Sequence, residues 1–275
     1  MKIGIVSRTD KKEAVELDRS IVKYLLENNI EIEIDSMLVK ELNEFSEYEV
    51  SIDNMTSDIV LCVGGDGTVL HAQHILSPKK IPLLSINMGT VGFLTEVDPE
   101  DIFECLDQLL NYDFFIEERL QLDVFFDNEQ ITVLNELVIM TSQPAKMLDL
   151  RISVDEELVD EVRADGLIIS TPSGSTAYAM SAGGPIVDPR VDAAIIIPIC
   201  PFKLNTRPKI VPANSTITVK FMKENKQGVA VLDGMLNKEF DFLDEITVKK
   251  SENAAYFVRF KNNFYNAVNN KLIVG

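Results

Sequence analysis

The chain is poor in the residues that build disulfide or metal scaffolds, with three cysteines and two histidines among 275 residues. Cys62, Cys105 and Cys200 lie far apart in apolar surroundings with no Cys-x-x-Cys pair. That argues against a disulfide framework or a zinc site and reads as three buried thiols in a reducing compartment. His71 and His74 stand three residues apart with no third ligand nearby, so they read as exposed helix residues. Long apolar runs are also missing. The longest apolar stretch without a charge, residues 193–202, is far short of a membrane span and carries two prolines. The N-terminal Met1-Lys-Ile-Gly-Ile-Val6 begins as a strand with no signal peptide, so the expectation is a soluble, cytoplasmic protein without a membrane partner. Basic residues are scarce: 26 Lys and Arg against 44 Asp and Glu give a net charge of −18. Nucleic acid is therefore not an expected partner, because phosphate polymers are held mainly by Lys and Arg. A small nucleotide held by backbone amides is not excluded by this balance.

Neither common nucleotide motif is present. There is no Gly-x-x-x-x-Gly-Lys-[Ser/Thr], and the glycines after the first clear central strand do not follow Gly-x-Gly-x-x-Gly. What stands there is Gly64-Gly65-Asp66-Gly67-Thr68, between the apolar run 58–63 and the helix-like Val69-Leu70-His71-Ala72. A buried strand entering three glycines around one carboxylate and then a helix lets backbone N–H groups approach an anion closely. The carboxylate is the informative residue. Beside bound phosphates it raises repulsion unless it holds a metal or takes a proton from an attacking hydroxyl, and phosphoryl transfer to an alcohol needs both functions. The plainer alternative is a tight turn with the aspartate as helix N-cap.

Residues 2–97 alternate strand and helix as a parallel sheet requires: strands at 2–6, 30–35, 58–63 and 81–86, and an amphipathic helix at 13–28. A helix at 101–112 follows Asp98-Pro99-Glu100. Short strands then dominate, at 121–126, 131–140, 148–154, 157–162, 166–170, 194–199, 216–221 and 228–232. The reading is an α/β domain over 1–98, which binds the phosphate donor, and a β-rich domain over 99–254, with a tail at 255–275 that belongs to either. Ligands of open α/β sheets sit outside the carboxyl ends of the strands, so the loops at 64–68 and 87–92 are expected to share one crevice.

Three further segments hold polar residues that a core or surface strand does not require. Asn135-Glu136 interrupts the apolar run 131–140, Arg163-Ala-Asp165-Gly166 precedes the strand 167–170, and Thr171-Pro-Ser-Gly-Ser-Thr176-Ala177-Tyr178 follows it. Taken one at a time, they also read as a β-bulge, an exposed ion pair and a serine-capped helix start. Adjacent residues of a regular strand point to opposite faces, so Asn135 and Glu136 can meet one ligand only at a bulge or strand end.

In order and spacing, these motifs together with Gly92-Phe93-Leu94, Arg207-Pro208 and Asp233-Gly234 resemble those of the NAD kinases, over most of the chain. The glycine motif alone is shared with lipid kinases of the diacylglycerol type. The Asn-Glu pair combined with the Thr-Pro-Ser-Gly-Ser-Thr-Ala-Tyr segment is far more specific. The resemblance implies a Rossmann-like α/β N-terminal domain and a β-sandwich C-terminal domain. It implies transfer of the terminal phosphate of ATP, or of polyphosphate, to the 2′-hydroxyl of the adenosine ribose of NAD. It also implies a divalent metal, usually magnesium, and a homodimer or homotetramer. By the same resemblance Asp66 is the base or orienter for that hydroxyl, and Gly64, Gly65, Gly67 and Thr68 lie at the phosphates. Asn135 and Glu136 bind the ribose and adenine side, Thr176 and Tyr178 pack near the adenosine, Asp165 faces the nicotinamide half, Phe93 and Ser181 line the NAD pocket, and Arg163 and Ala177 are further NAD-binding residues.

The residue types fit those roles. A carboxylate is a weak base toward a ribose hydroxyl, so Asp66 is expected to orient the hydroxyl and accept its proton late. Tyr178 and Phe93 offer flat apolar faces to adenine. An ionised Glu136 is expected to repel the 2′-phosphate of NADP. One position departs from the family: where members often have Pro-His, this chain has Pro201-Phe202. A lipid kinase and a non-catalytic nucleotide sensor are the competing readings, and the acidity of the chain disfavours the first at anionic bilayers.

Overall fold

The computed structural model describes residues 1–89, 92–126, 129–143, 145–223, 227–240 and 244–272. From the N-terminus run β1 (Lys2–Ser7), α1 (Lys12–Glu27), β2 (Glu31–Asp35), α2 (Ser36–Leu42), β3 (Glu49–Val50), β4 (Ile59–Gly64), α3 (Asp66–Leu76), β5 (Leu83–Asn87), α4 (Ile102–Leu110) and β6 (Phe115–Arg119). Next come β7 (Leu122–Phe126), β8 (Glu129–Val133), β9 (Glu136–Thr141), β10 (Leu148–Val154), β11 (Glu157–Ala164), β12 (Gly166–Ser170) and the short α5 (Tyr178–Ser181). Then follow β13 (Ala193–Ile199), β14 (Lys209–Pro212), β15 (Ile217–Phe221), β16 (Gly228–Leu232), β17 (Leu236–Phe240) and β18 (Glu245–Lys250), and the chain ends with β19 (Ala255–Arg259) and α6 (Phe264–Leu272).

Two compact units result, Met1–Glu118 together with the segment from Ala255 on, and Arg119–Ala254. The sequence reading places the change of pattern at 98/99, whereas α4 and nearly all of β6 sit in the first unit. The first unit holds a sheet of order β3-β2-β1-β4-β5-β19-β6, with β1 parallel to β2 and β4, and β5 parallel to β4 and β19. Strand order reverses between β1 and β4, so the loops after these two strands diverge and leave a crevice at their carboxyl ends. β4 is buried at every position, as a central parallel strand must be. On α1 the buried Ala14, Asp18, Ile21, Val22 and Leu25 recur at helical spacing and cover the sheet. β19 joins this sheet with Phe257 opposite Leu83, and the wholly buried Phe257 contributes on the order of 1.5–3 kcal/mol.

The second unit is a sandwich of two six-stranded antiparallel sheets, β11-β10-β15-β18-β7-β8 and β14-β13-β12-β9-β16-β17. Its core draws on both sheets: Leu122, Val124 and Ile152 from the first, Leu137, Ile139, Leu167 and Ile169 from the second. Alternation then decides the outer face of the second sheet. Val138 and Ile168 point away from that core and pack with Ala179 and Val187, so the segment after β12 covers this face.

The strand expected over 131–140 is two strands, because the chain leaves one sheet at Val133 and enters the other at Glu136. One expectation about the cysteines is corrected: Cys62 is buried and Cys105 half-buried, but Cys200 is exposed just past β13. No helix among the described residues is long and apolar enough to cross a membrane. His71 and His74 are both exposed on α3.

Candidate active site

In the first unit, Gly64 ends β4, Gly65 is the N-cap of α3 and Asp66 is its first residue. The three glycines serve different ends. A Cβ on Gly64 would lie 2.2 Å from the Thr68 hydroxyl, whereas a Cβ on Gly65 or Gly67 would meet nothing within 4 Å. Gly64 is therefore needed for packing, and Gly65 and Gly67 leave open space above the first-turn amides of α3, where an anion is favoured. The N-cap of α3 is Gly65, which has no side chain to cap the helix, so Asp66 is not the N-cap residue. The Asp66 carboxylate accepts from two backbone N–H groups, Phe93 to Oδ2 at 2.9 Å and Leu94 to Oδ1 at 3.0 Å. The turn that presents them needs Gly92, at φ +58°. Thr90 and Val91, within the loop singled out above, lie outside the described residues. The Met88 N–H donates to the Gly64 carbonyl at 2.9 Å, so the two loops at 64–68 and 87–92 do meet. Lys11, the N-cap of α1, donates from Nζ to the Met88 carbonyl at 2.9 Å and places a cation at the same edge.

In the second unit, Asn135 and Glu136 stand where the chain crosses between sheets, and the backbone there is irregular as expected. Asp233, at φ +48° after β16, holds it in place. Its carboxylate accepts from the N–H groups of Leu134, Asn135 and Glu136 at 2.7, 2.8 and 3.0 Å. From the other side the Thr171 N–H and the Ser170 hydroxyl donate to the Asn135 carbonyl, and the Thr171 hydroxyl donates to the Leu134 carbonyl. Gly174 lies so close that a Cβ would be 2.3 Å from the Asn135 carbonyl oxygen. With the backbone fully engaged, the side chains are left over: Asn135 Oδ1 and Glu136 Oε2 are buried without a hydrogen-bond partner. Orphaned buried polar atoms are costly, and they mark a place where a ligand supplies what the protein lacks. Burial, reinforced by the neighbouring Asp233, pushes the Glu136 carboxyl up to about 8. In the unliganded chain the carboxyl is then mostly protonated at neutral pH, which weakens the charge repulsion expected against a 2′-phosphate.

Residues 3–114 match the ATP-NAD kinase N-terminal domain, and residues 134–260 match the ATP-NAD kinase C-terminal domain. The NAD kinase of Methanosphaera stadtmanae is 82% identical over 275 residues, covering 100% of both chains. The chain belongs to the NAD kinase family. Among solved structures, an NAD kinase from Archaeoglobus fulgidus in complex with ATP is 32% identical with a TM-score of 0.81, covering 97% of this chain and 96% of that one. Yeast NADH kinase complexed with NADH, at 24% identity and a TM-score of 0.90, covers 100% of this chain and 87% of its own and shares the fold.

The remaining residues that the NAD kinase resemblance singles out do not all fall together. Thr176 is buried with its hydroxyl donating to the Ser173 carbonyl, Ala177 is half-buried, and Tyr178 and Ser181 are exposed on α5. Glu136 pairs with Ser170 at one end of β12, while Asp165 lies just beyond the other end, roughly 17 Å away by strand rise, and Arg163 is on β11. Arg163 and Asp165 do not form the exposed ion pair weighed above. The Arg163 guanidinium sits 5.5 Å from the ring centroid of Phe202, the residue by which this chain departs from many NAD kinases. Asp233 and Lys11 were not among the expected site residues. Asp233-Gly234 reads in sequence as a turn after a strand, and nothing in a turn says which backbone its carboxylate will bind. Among the described residues no group of three or more His, Cys, Asp or Glu could hold a metal ion.

Proposed function

We propose that this chain transfers the γ-phosphate of ATP, or the terminal phosphate of polyphosphate, to the 2′-hydroxyl of the adenosine ribose of NAD, giving NADP. The observation that carries the reading is the coexistence of two prepared sites. One is a glycine loop open above its amides with Asp66 inside it; the other is a buried Asn135-Glu136 pair whose side-chain oxygens lack partners. Membership of the NAD kinase family supports it.

In this reading the amides at Gly65, Asp66 and Gly67 bind donor phosphate beside Thr68, whose own N–H is taken by the Gly65 carbonyl, with Lys11 as a nearby cation. Each Asp66 oxygen accepts one N–H and keeps a free lone pair, so the carboxylate orients the acceptor hydroxyl and receives its proton late. A divalent ion fits a site with a single carboxylate when the donor's phosphates and water supply the other ligands, as magnesium commonly allows. Asp66 is the residue that would face it, and when bound the ion neutralises charge on the transferred phosphoryl group. In a loose transition state most acceleration comes from holding the 2′-oxygen in line with phosphorus, so Asp66 acts mainly by position. Glu136, carrying its proton, both donates to and accepts from vicinal ribose hydroxyls, and Asn135 Oδ1 accepts from the adenosine side. In the second unit Thr176, Ala177, Tyr178 and Ser181 serve NAD, and in the first Phe93 stands beside Asp66.

Asp165, just beyond the far end of β12 from Glu136, lies too far to meet the same adenosine, and Phe202, whose N–H donates to the Arg163 carbonyl, and Leu204 are 66% and 92% exposed. Both facts support a homodimer or homotetramer. The cytoplasm is the compartment where the substrates and the three free thiols are compatible. The test is to offer γ-labelled ATP or labelled polyphosphate with NAD, NADH or diacylglycerol vesicles in the presence of Mg²⁺. Label is expected in NADP. Label in the lipid and none in NADP would reverse the reading, and label in neither would leave a nucleotide sensor.

A further inference from the structure

Arg259 lies on the last strand, far in sequence from the glycine loop, and is almost wholly buried at 5% exposure. It is held on three sides. Nη1 donates to Glu96 Oε2 at 3.1 Å, Nε donates to Glu117 Oε2 at 2.8 Å, and the guanidinium lies 5.2 Å from the Phe257 ring centroid. The other Glu96 oxygen accepts from the Phe260 N–H at 3.1 Å, so β19 fixes both carboxylate oxygens of Glu96. Glu96 in turn is two residues from Leu94. The N–H groups of Glu96 and Val97 both donate to the Ser85 carbonyl, and the buried Ser85 hydroxyl donates to the Leu94 carbonyl at 2.7 Å. The Leu94 peptide is thus gripped at its carbonyl end by Ser85, while its N–H points at Asp66 Oδ1.

We propose that Arg259 is a positioning residue for phosphoryl transfer, acting through Glu96 and the Gly92–Leu94 turn to hold the Asp66 carboxylate. The inference rests on the role of Asp66 given above. The geometry supports it in one specific sense: the two N–H groups that orient Asp66 belong to a turn without its own secondary structure, and the buried ion pair and Ser85 brace it from the β19 and β5 side, with the Thr95 hydroxyl on the Gly92 carbonyl. A displacement of about 1 Å at a reacting group costs on the order of 10²-fold in rate, so a brace at this distance is felt in turnover before it is felt in binding. Arginine suits the task because its planar fork reaches two carboxylates at once, which a lysine cannot reproduce.

The test is a double-mutant cycle on the full-length enzyme, with kcat and both Michaelis constants measured for wild type, Arg259→Lys, Asp66→Asn and the pair. Arg259→Lys is expected to lower kcat about tenfold with both KM values within about twofold, and to change kcat by less than about twofold when Asp66 is already Asn. The same fold-loss in both backgrounds, a rise in KM without a fall in kcat, or wild-type turnover in Arg259→Lys overturns the proposal. Should Arg259→Lys not fold by circular dichroism, Glu96→Gln carries the same cycle, since it keeps the shape of the side chain and removes the charge that Arg259 pairs with. Asp66→Asn at wild-type kcat would sink the role of Asp66 and this inference together. A crippled Asp66→Asn beside an unaffected Arg259→Lys overturns the brace alone.

Discussion

Asp18 shows what an isolated buried charge costs this protein. It sits on the sheet-facing side of α1 among Ala14, Ile21, Val22 and Leu25, completely buried, with no hydrogen-bond partner at either carboxyl oxygen. Burial pushes its carboxyl from the usual 3.8 up to about 7. The folded chain therefore keeps a proton that the unfolded chain gives up. This contribution to stability is complete below about pH 4, falls as pH rises through the interval to about 7, and is gone above it, a loss of at most ~4 kcal/mol. Asp18→Asn has no charge to suppress. Its melting temperature is expected to exceed that of wild type at pH 8, with the gap closing toward pH 4; identical pH dependence in both proteins would show that Asp18 is solvated or paired. Glu136 is raised for the same first cause, but its orphaned oxygen lies at the site where a ligand partner is proposed. That contrast was not visible in the sequence, where Asp18 is one of 44 acids.

Among the elements, the parallel strands and the α1 period were legible because burial on both faces and a helical stripe leave direct marks in composition. β14, with Pro208 before it and Pro212 at its end, and the polar β17 were not read, since edge strands carry weak patterns. β18 had a usable signal: Ile246 and Val248 alternate with polar residues and are both buried. The Asn135-Glu136 break was legible as a local irregularity. Its cause was not, because Asp233 reaches it from nearly a hundred residues away. The segment after β12 is bound to that break through Gly174, where an added methyl would meet the Asn135 carbonyl oxygen at 2.3 Å and Ser170 Oγ at 2.5 Å. Neither is the far end of a flexible chain. Gly174→Ala is expected to destabilise the protein by about 1–3 kcal/mol and to raise the KM for NAD more than that for ATP. Unchanged melting and unchanged KM for NAD would mean that the two segments are not packed as described.

At the scale of the whole molecule, the chain devotes its ends to one unit and its middle to the other, so the last strand, β19, completes the sheet that begins with β1. Sequence left the tail unassigned because an apolar run such as Ala255–Arg259 fits either sheet. The proposed oligomer belongs to this scale too. Phe202 projects from the second unit and stacks on Arg163, a contact worth roughly 0.5–1 kcal/mol at an exposed site. A phenyl ring does not titrate, so association through this position is expected to change little between about pH 6 and 8. Phe202→Ala is expected to shift sedimentation toward monomer and to raise the KM for NAD. A wild-type protein that is monomeric at micromolar concentration and fully active would remove both the oligomer and any pocket that depends on it.

The central claim is that Asp66 serves the reaction as an oriented carboxylate and not as a turn residue, and Asp66→Asn tests it most directly. The amide keeps the shape and accepts only one of the two N–H groups from Phe93 and Leu94, while losing the proton acceptor. With labelled ATP and NAD, kcat is expected to fall by about 10²–10⁴-fold while NAD affinity stays within a few-fold of wild type. Full turnover in Asp66→Asn would contradict the account.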